Sequence, residues 1–157
     1  MAITLRDTYE NDAAFLLEVY RSTRADELAL VPWDNEQKEA FLRFQFDAQH
    51  ASYHERFPEA SYSIILQDGE RIGRLYVLRE AEEIRILDIT VLPRSRNAGV
   101  GTSLIRQLLI EASQTGKSVS IWVEHFNQSL RLFERLGFSK IQEDGFNCLM
   151  ECPVKKD

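Results

Sequence analysis

With 157 residues, 44% of them hydrophobic and 28% charged, the chain can bury roughly 70% of the surface that its unfolded form would expose, so neither disulfides nor metals are needed to hold it. That balance excludes a disordered chain, and no apolar run approaches the roughly 20 residues that span a bilayer. A net charge of -6 argues against a protein built to hold nucleic acid, which needs a basic face, and suits a cationic, amine-bearing partner better.

The first residues, Met1 to Arg6, lack a basic stretch followed by an apolar core and a cleavage site, so no secretion signal is read and the cytoplasm is the expected location. Ile3 to Arg6 alternates apolar and polar, as a short strand does. Asn11 or Asp12 then caps a helix carrying Ala14, Phe15, Leu17 and Val19. Pro32-Trp33-Asp34 breaks the chain. Asp34 is placed to cap a long second helix with Phe41, Leu42, Gln45, Phe46, Gln49 and Tyr53 at three- and four-residue steps, ending before Pro58. Ser61 to Gln67 and Arg71 to Arg79 are rich in β-formers and meet at Asp68-Gly69, a two-residue hairpin signal. Glu82 to Leu92 is the next strand, closed by Pro93.

The loop Arg94 to Ala98 leads through Gly99-Val100-Gly101 into a helix with an apolar stripe of Leu104, Ile105, Leu108 and Leu109, ended by Gly116. Val119 to Val123 is an apolar strand. Asn127 to Leu136 reads as a helix closed by Gly137, and Phe138 to Ile141 and Phe146 to Glu151 as two strands joined through Asp144-Gly145. The order contains no repeat and no linker. It predicts a single α/β (α+β) domain over residues 1–157, with a mixed sheet.

Metal binding is not expected. The two cysteines, Cys148 and Cys152, share a strand face about 13 Å apart, too far for a disulfide. His50 and His54 have no glutamate in the metalloprotease position and no evident third ligand.

The most informative segment runs from Ile84 to Thr102, where a strand passes through a small-residue loop straight into a helix. A helix N-terminus offers unpaired N–H groups and about half a positive charge, and glycine lets a pyrophosphate approach the backbone. No Lys-Ser or Lys-Thr follows the second glycine, which excludes a P-loop. The dinucleotide fingerprint lacks its third glycine. What is present is R-x-x-G-x-G from Arg96 to Gly101, with Val-x-Pro five residues before the arginine. This resembles the acetyl-coenzyme A loop of the GNAT superfamily of N-acetyltransferases. Asn127 to Phe138, ending Leu-Gly-Phe, resembles the asparagine and helix that follow that family's fifth strand, and the element order agrees over nearly the whole chain.

The resemblance implies a splayed sheet of six or seven strands with helices on both faces, opening between Ile84–Leu92 and Val119–Val123. A pantetheine arm would enter that gap like an added strand. Val91 would pair with pantetheine amides. The backbone of Asn97, Ala98, Gly99, Val100, Gly101 and Thr102, with the Arg96 side chain, would hold the pyrophosphate, and Asn127 would contact the coenzyme arm. The implied activity is transfer of acetyl from acetyl-coenzyme A to a primary amine of a small molecule or protein, without a metal; a non-catalytic acetyl-coenzyme A sensor is the alternative. A homodimer is compatible with the family, and neither nucleic acid nor membrane is an expected partner.

Only about one amine in a few thousand is neutral at pH 7, so a carboxylate acting through water would help. Asp88 and Glu124 are the two candidates. Phe133 stands where many relatives carry the tyrosine that protonates the departing thiolate, and would pack beside the coenzyme without donating. Acceptor recognition falls to Glu27–Phe57 and the region of Gly145 to Cys148, with Trp33, Phe46, Gln49 and Tyr53 as candidate lining residues.

Overall fold

The computed structural model describes residues 2–125, 127 and 129–154. Its strands are β1 (Ile3–Asp7), β2 (Ser61–Gln67), β3 (Glu70–Arg79), β4 (Glu83–Val91), β5 (Ser118–Glu124), β6 (Ser139–Glu143) and β7 (Asn147–Cys152). The helices are α1 (Ala13–Ala29), α2 (Asn35–Arg56), α3 (Val100–Thr115) and α4 (Ser129–Arg135). The strands form one sheet in the order β1-β2-β3-β4-β5-β7-β6, in which β4 and β5 run parallel and every other neighbouring pair is antiparallel. The expected mixed sheet is therefore present, with seven strands. No helix among the described residues is long and apolar enough to cross a membrane.

Two cores sit on opposite faces of this sheet. Ile64 and Ile65, successive residues of β2, are both 0% exposed, because the strand's two-residue period turns one to each face. Ile64 packs with Phe15, Leu16 and Val19 of α1 and Leu42 and Phe46 of α2. Ile65 packs with Ile84 and Ile86 of β4, Leu104, Ile105 and Leu108 of α3 and Phe133 of α4. Each such side chain contributes about 1.5–3 kcal/mol by leaving water.

Local signals explain most boundaries. The Asp34 carboxylate accepts from the Gln37 N–H at 2.8 Å, and the Gln37 side chain accepts from the Asp34 N–H at 3.0 Å, a reciprocal cap that satisfies two donors at the start of α2. Gly116 ends α3. The last helix is shorter than the expected Asn127–Leu136. Gln128, inside that span, lies outside the described residues. Phe138 is not in a strand. It leaves the edge strand β6 to begin at Ser139 and buries its ring edge-on to Phe133, with centroids 5.2 Å apart.

Asp12, one of the two expected residues, takes the cap position of α1, but its side chain is used differently. A single 3₁₀ turn, Glu10–Asp12, precedes α1, and the Asp12 side chain makes no cap bond to it. It is instead fully buried, accepting from Arg6 at 2.8 and 2.9 Å, from Arg71 at 3.2 Å and from the Tyr9 N–H at 3.0 Å. The Arg6 hydrogen bonds, opposed by burial and assisted by Tyr9 and Arg71, hold this carboxyl well below the usual carboxylate range. A depressed folded-state pKa gives stability that is complete above the unfolded value of about 3.9 and lost as pH falls below it. Urea unfolding between pH 6 and 3 is therefore expected to show stability declining below about pH 4. Asp12→Asn should be less stable at pH 6 and flatter on the acid side; an unchanged acid slope would remove Asp12 as its source.

Candidate functional site

β4 and β5 pair only from Glu83–Ser118 to Ile86–Ile121. Beyond that point β4 follows β3 as far as Val91, while β5 follows β7 as far as Glu124. A gap opens between them. Its origin is an extra residue, Leu87: Ile86 lies opposite Val77 and Asp88 opposite Tyr76, so Leu87 has no partner on β3. Such a bulge bends the strand and increases its twist. It also reverses the alternation. Ile84 and Ile86 face the α3 core, and after the bulge Ile89 and Val91 pack on that same core. Asp88 is left to face α2.

The β4 edge that borders the gap carries free backbone groups. The Leu92 N–H donates to the Ile72 carbonyl at 2.8 Å, so the adjacent Gly73–Val91 pair is of the kind whose own N–H and C=O turn away from the partner strand. Val91 therefore directs both groups into the gap, and Ile89 does the same by the strand's period. Ile89 is a contributor that sequence reasoning missed. The Val91 carbonyl accepts from Arg96 Nε at 2.9 Å, so the Arg96 guanidinium lies against the strand end.

Gly73 is what lets β3 and β4 approach here: a Cβ on it would lie 2.2 Å from the Thr90 carbonyl oxygen and 3.0 Å from Val91 Cα. Both obstacles are backbone. Gly73→Ala is expected to cost about 1–3 kcal/mol or more in urea unfolding, and to shift the Val91 edge. An alanine variant of unchanged stability would show that this approach is not tight.

The loop after β4 turns through a 3₁₀ segment, Pro93–Ser95, then through positive φ at Asn97 (62°) and Gly99 (79°) before α3 begins at Val100. No side chain caps this helix. The first bond of the helix runs from the Ser103 N–H to the Gly99 carbonyl, which leaves the amides of Val100, Gly101 and Thr102 without partners in the preceding turn. A Cβ on Gly99 would meet nothing within 4 Å, and one on Gly101 only Leu132 Cδ2 at 4.0 Å. The loop is thus a concave row of N–H donors open to an anion.

Across the gap, Asn127 is also partly a structural residue, since its side-chain oxygen accepts from the Ser129 N–H at 2.9 Å at the start of α4. Phe133 of α4 is 1% exposed and belongs to the core below the gap.

On the α2 face the two carboxylates separate clearly. Asp88 accepts from Arg74 Nε at 3.2 Å, Arg74 Nη2 at 2.8 Å and Thr90 Oγ1 at 2.7 Å, so both its oxygens are engaged. Arg74, also missed from the sequence, is 2% exposed and donates further to Gln49 Oε1 at 3.1 Å. Although burial works against its charge, Asp88 and the neighbouring Tyr76 keep Arg74 above the ordinary arginine range. Tyr53 donates to the carbonyl of the bulged Leu87 at 3.3 Å, and burial together with Asp88 raises its phenol well above the usual range, so it is a hydrogen-bond donor and not a titrating group. Glu124 faces the same side from the end of β5. Its side chain is 59% exposed, with one oxygen 3.9 Å from Arg24, which is otherwise held by Glu27 and the Tyr20 hydroxyl.

The structure thus gathers Gln49, Tyr53 and Asp88 around Arg74. Phe46 is a core residue, 8% exposed between Tyr20 and His50. Trp33 sets its ring edge-on to Phe41 in the segment between α1 and α2.

The family model described as the acetyltransferase (GNAT) family matches residues 17–138. Among solved structures, PaiA N-acetyltransferase from Thermoplasma acidophilum in complex with coenzyme A is similar with a TM-score of 0.73 at 18% identity, over 98% of this chain and 100% of that one. An acetyltransferase from Thermus thermophilus gives 0.70 at 17% identity, over 98% of each chain. The ribosomal-protein-S18-alanine N-acetyltransferase from Escherichia coli gives 0.68 at 17% identity, over 99% of this chain and 96% of that one. At these identities the likeness is one of fold. No curated protein matches this chain in sequence.

Proposed function

Because the chain belongs to the acetyltransferase (GNAT) family, we propose that it transfers the acetyl group of acetyl-coenzyme A to a primary amine of a small molecule or protein. The observation that carries this reading is the gap between β4 and β5, which opens beside an uncapped, glycine-lined helix start. The coenzyme supplies an acetyl thioester, whose carbonyl carbon a neutral amine attacks as the carbon–sulfur bond breaks. Everything else is the work of the protein. Ile89 and Val91 offer strand-edge N–H and C=O groups to an extended amide-bearing arm. The amides of residues 97–102 suit a pyrophosphate, and Arg96 can exchange the Val91 carbonyl for a phosphate oxygen while that carbonyl turns to the arm.

The amine approaches from the α2 face. Glu124 is the carboxylate best placed to take its proton through water, because it is solvent-accessible and lightly paired. Asp88, tied to Arg74 and Thr90, positions the strand end and the lining residues Gln49 and Tyr53. No proton donor exists at Phe133. A thiol of pKa about 8.5 is an acceptable leaving group without one, general acid help being worth about 10²- to 10⁴-fold.

One feature favours a second reading, a non-catalytic acetyl-coenzyme A sensor: Phe133, which stands where the resemblance implies a tyrosine, carries no hydroxyl, and its ring is 1% exposed in the core. Thiol release from acetyl-coenzyme A in the presence of amines, polyamines, aminoglycosides and peptides separates the two. Release above hydrolysis, with an acetylated acceptor identified by mass, supports transfer; coenzyme binding without release from any acceptor supports the sensor.

A further inference from the structure

Beyond the transfer site, three potential metal ligands from three separate strand ends converge at the open end of β5. Cys148 lies on β7 directly opposite Glu143 of β6, and His125 follows the last residue of β5, with its N–H bonded to the Phe146 carbonyl at 2.9 Å. Among the described residues this is the one group of three such side chains whose ligand atoms all lie within 4.8 Å of one another. His125 Nε2 is 4.0 Å from Cys148 Sγ and 3.8 Å from Glu143 Oε2, and Nδ1 is 3.0 Å from the same sulfur. The Asp144 carbonyl oxygen adds a fourth acceptor 3.2 Å from Nε2.

We infer that His125, Glu143 and Cys148 form a binding site for a borderline-soft divalent cation, zinc being the best fit. Ligands bonded to a tetrahedral zinc at about 2.0–2.3 Å lie about 3.3–3.6 Å from one another. The present separations exceed that by about half an ångström at the imidazole, within the reach of side-chain rotation. The donor set of one thiolate, one imidazole and one carboxylate suits zinc and excludes magnesium and calcium, which take oxygen. Three protein ligands leave a fourth position, for water or the Asp144 carbonyl.

The scaffold supports this geometry. Cys148 is held in the core at 3% exposure, whereas the side chains of His125 and Glu143 are 28% and 53% exposed, so an ion has a route in and a rigid sulfur to meet. One contact opposes it: Lys140 Nζ lies 2.9 Å from Glu143 Oε2. That pair is exposed and weak in water, and Glu143 has a second oxygen. Binding would release the Cys148 thiol proton and replace the sulfur–imidazole contact with two bonds to the metal. The bound ion would tie the end of β5, immediately after Glu124, to the β6–β7 hairpin.

The experiment uses the whole chain, stripped with a chelator and titrated with Zn²⁺ by calorimetry and with Co²⁺ by absorption. One equivalent should bind, Co²⁺ should give the near-ultraviolet band of a cobalt–thiolate bond, and Zn²⁺ should raise the melting temperature. Cys148→Ser should abolish that band and weaken Zn²⁺ by more than the roughly 10- to 100-fold lost with an outer partner. Cys152→Ser should keep the band, and His125→Gln should lose the affinity while still binding acetyl-coenzyme A, which shows that it is folded. Absence of stoichiometric binding by the folded wild-type chain would overturn the site. So would a cobalt–thiolate band that survives Cys148→Ser or disappears with Cys152→Ser. None of these readouts depends on acetyl transfer.

Discussion

Replacing Gly101 with glutamate is expected to weaken acetyl-coenzyme A binding by about 100-fold or more while leaving the chain folded. The position has room for a side chain, since a Cβ meets only Leu132 Cδ2 at 4.0 Å. A carboxylate in the first turn of α3 also interacts favourably with the helix dipole, by about 0.3–1 kcal/mol. The same charge would lie where the proposed site seats the pyrophosphate. Two like charges about 4 Å apart near a protein surface repel by about 4 kcal/mol, on the order of a thousandfold in affinity. Fold and binding thus respond in opposite directions, which makes the variant informative. Gly99→Glu tests the same loop less cleanly, because a φ of 79° penalises any side chain there. Calorimetry on Gly101→Glu that returns wild-type affinity from a folded protein would place the coenzyme elsewhere.

The second large effect separates the two carboxylates. Glu124→Gln is expected to lower turnover by about 100-fold at neutral pH, with coenzyme affinity nearly unchanged and the loss shrinking as pH approaches the amine's own pKa of about 10.4. Asp88→Asn should instead act first on stability. It strips a buried guanidinium, 2% exposed, of its counter-charge, and breaking a buried ion pair from one side costs about 3–5 kcal/mol. Urea unfolding and pH–rate profiles of both variants decide the matter. If Asp88→Asn keeps wild-type stability but loses turnover in the pH-dependent manner, Asp88 is the base and the two carboxylates exchange roles.

The parts of the molecule that were legible in its sequence are those written in local chemistry. The Asp34 cap, the Asp68-Gly69 hairpin, the apolar stripe of α3 and the run from Arg96 to Gly101 each depend on residues a few positions apart. What escaped depends on distant partners. Nothing around Leu87 announces a bulge, yet that one residue turns Asp88 from the α3 core to the α2 face. Arg74 sits in a strand whose apolar neighbours gave no sign that Asp88 and Gln49 would surround it. Asp12 had the position of a helix cap and became a buried acceptor for Arg6 and Arg71, the latter 59 residues away. His125, Glu143 and Cys148 have no motif spacing, because the sheet order and not the sequence brings them together. A polar residue at a buried phase of an apolar strand, as with Arg74, is the one signal of this kind that a closer reading of strand periodicity can recover.

A crystal structure of the chain with coenzyme A bound tests most directly whether the gap between β4 and β5 is the seat of acetyl-coenzyme A. The expected density places the pantetheine arm between β4 beyond Ile86 and β5 beyond Ile121, bonded to the backbone of Ile89 and Val91, with the pyrophosphate on the amides of residues 97–102. Coenzyme bound at another surface, or β4 and β5 closed into continuous pairing as far as Val91, would contradict it.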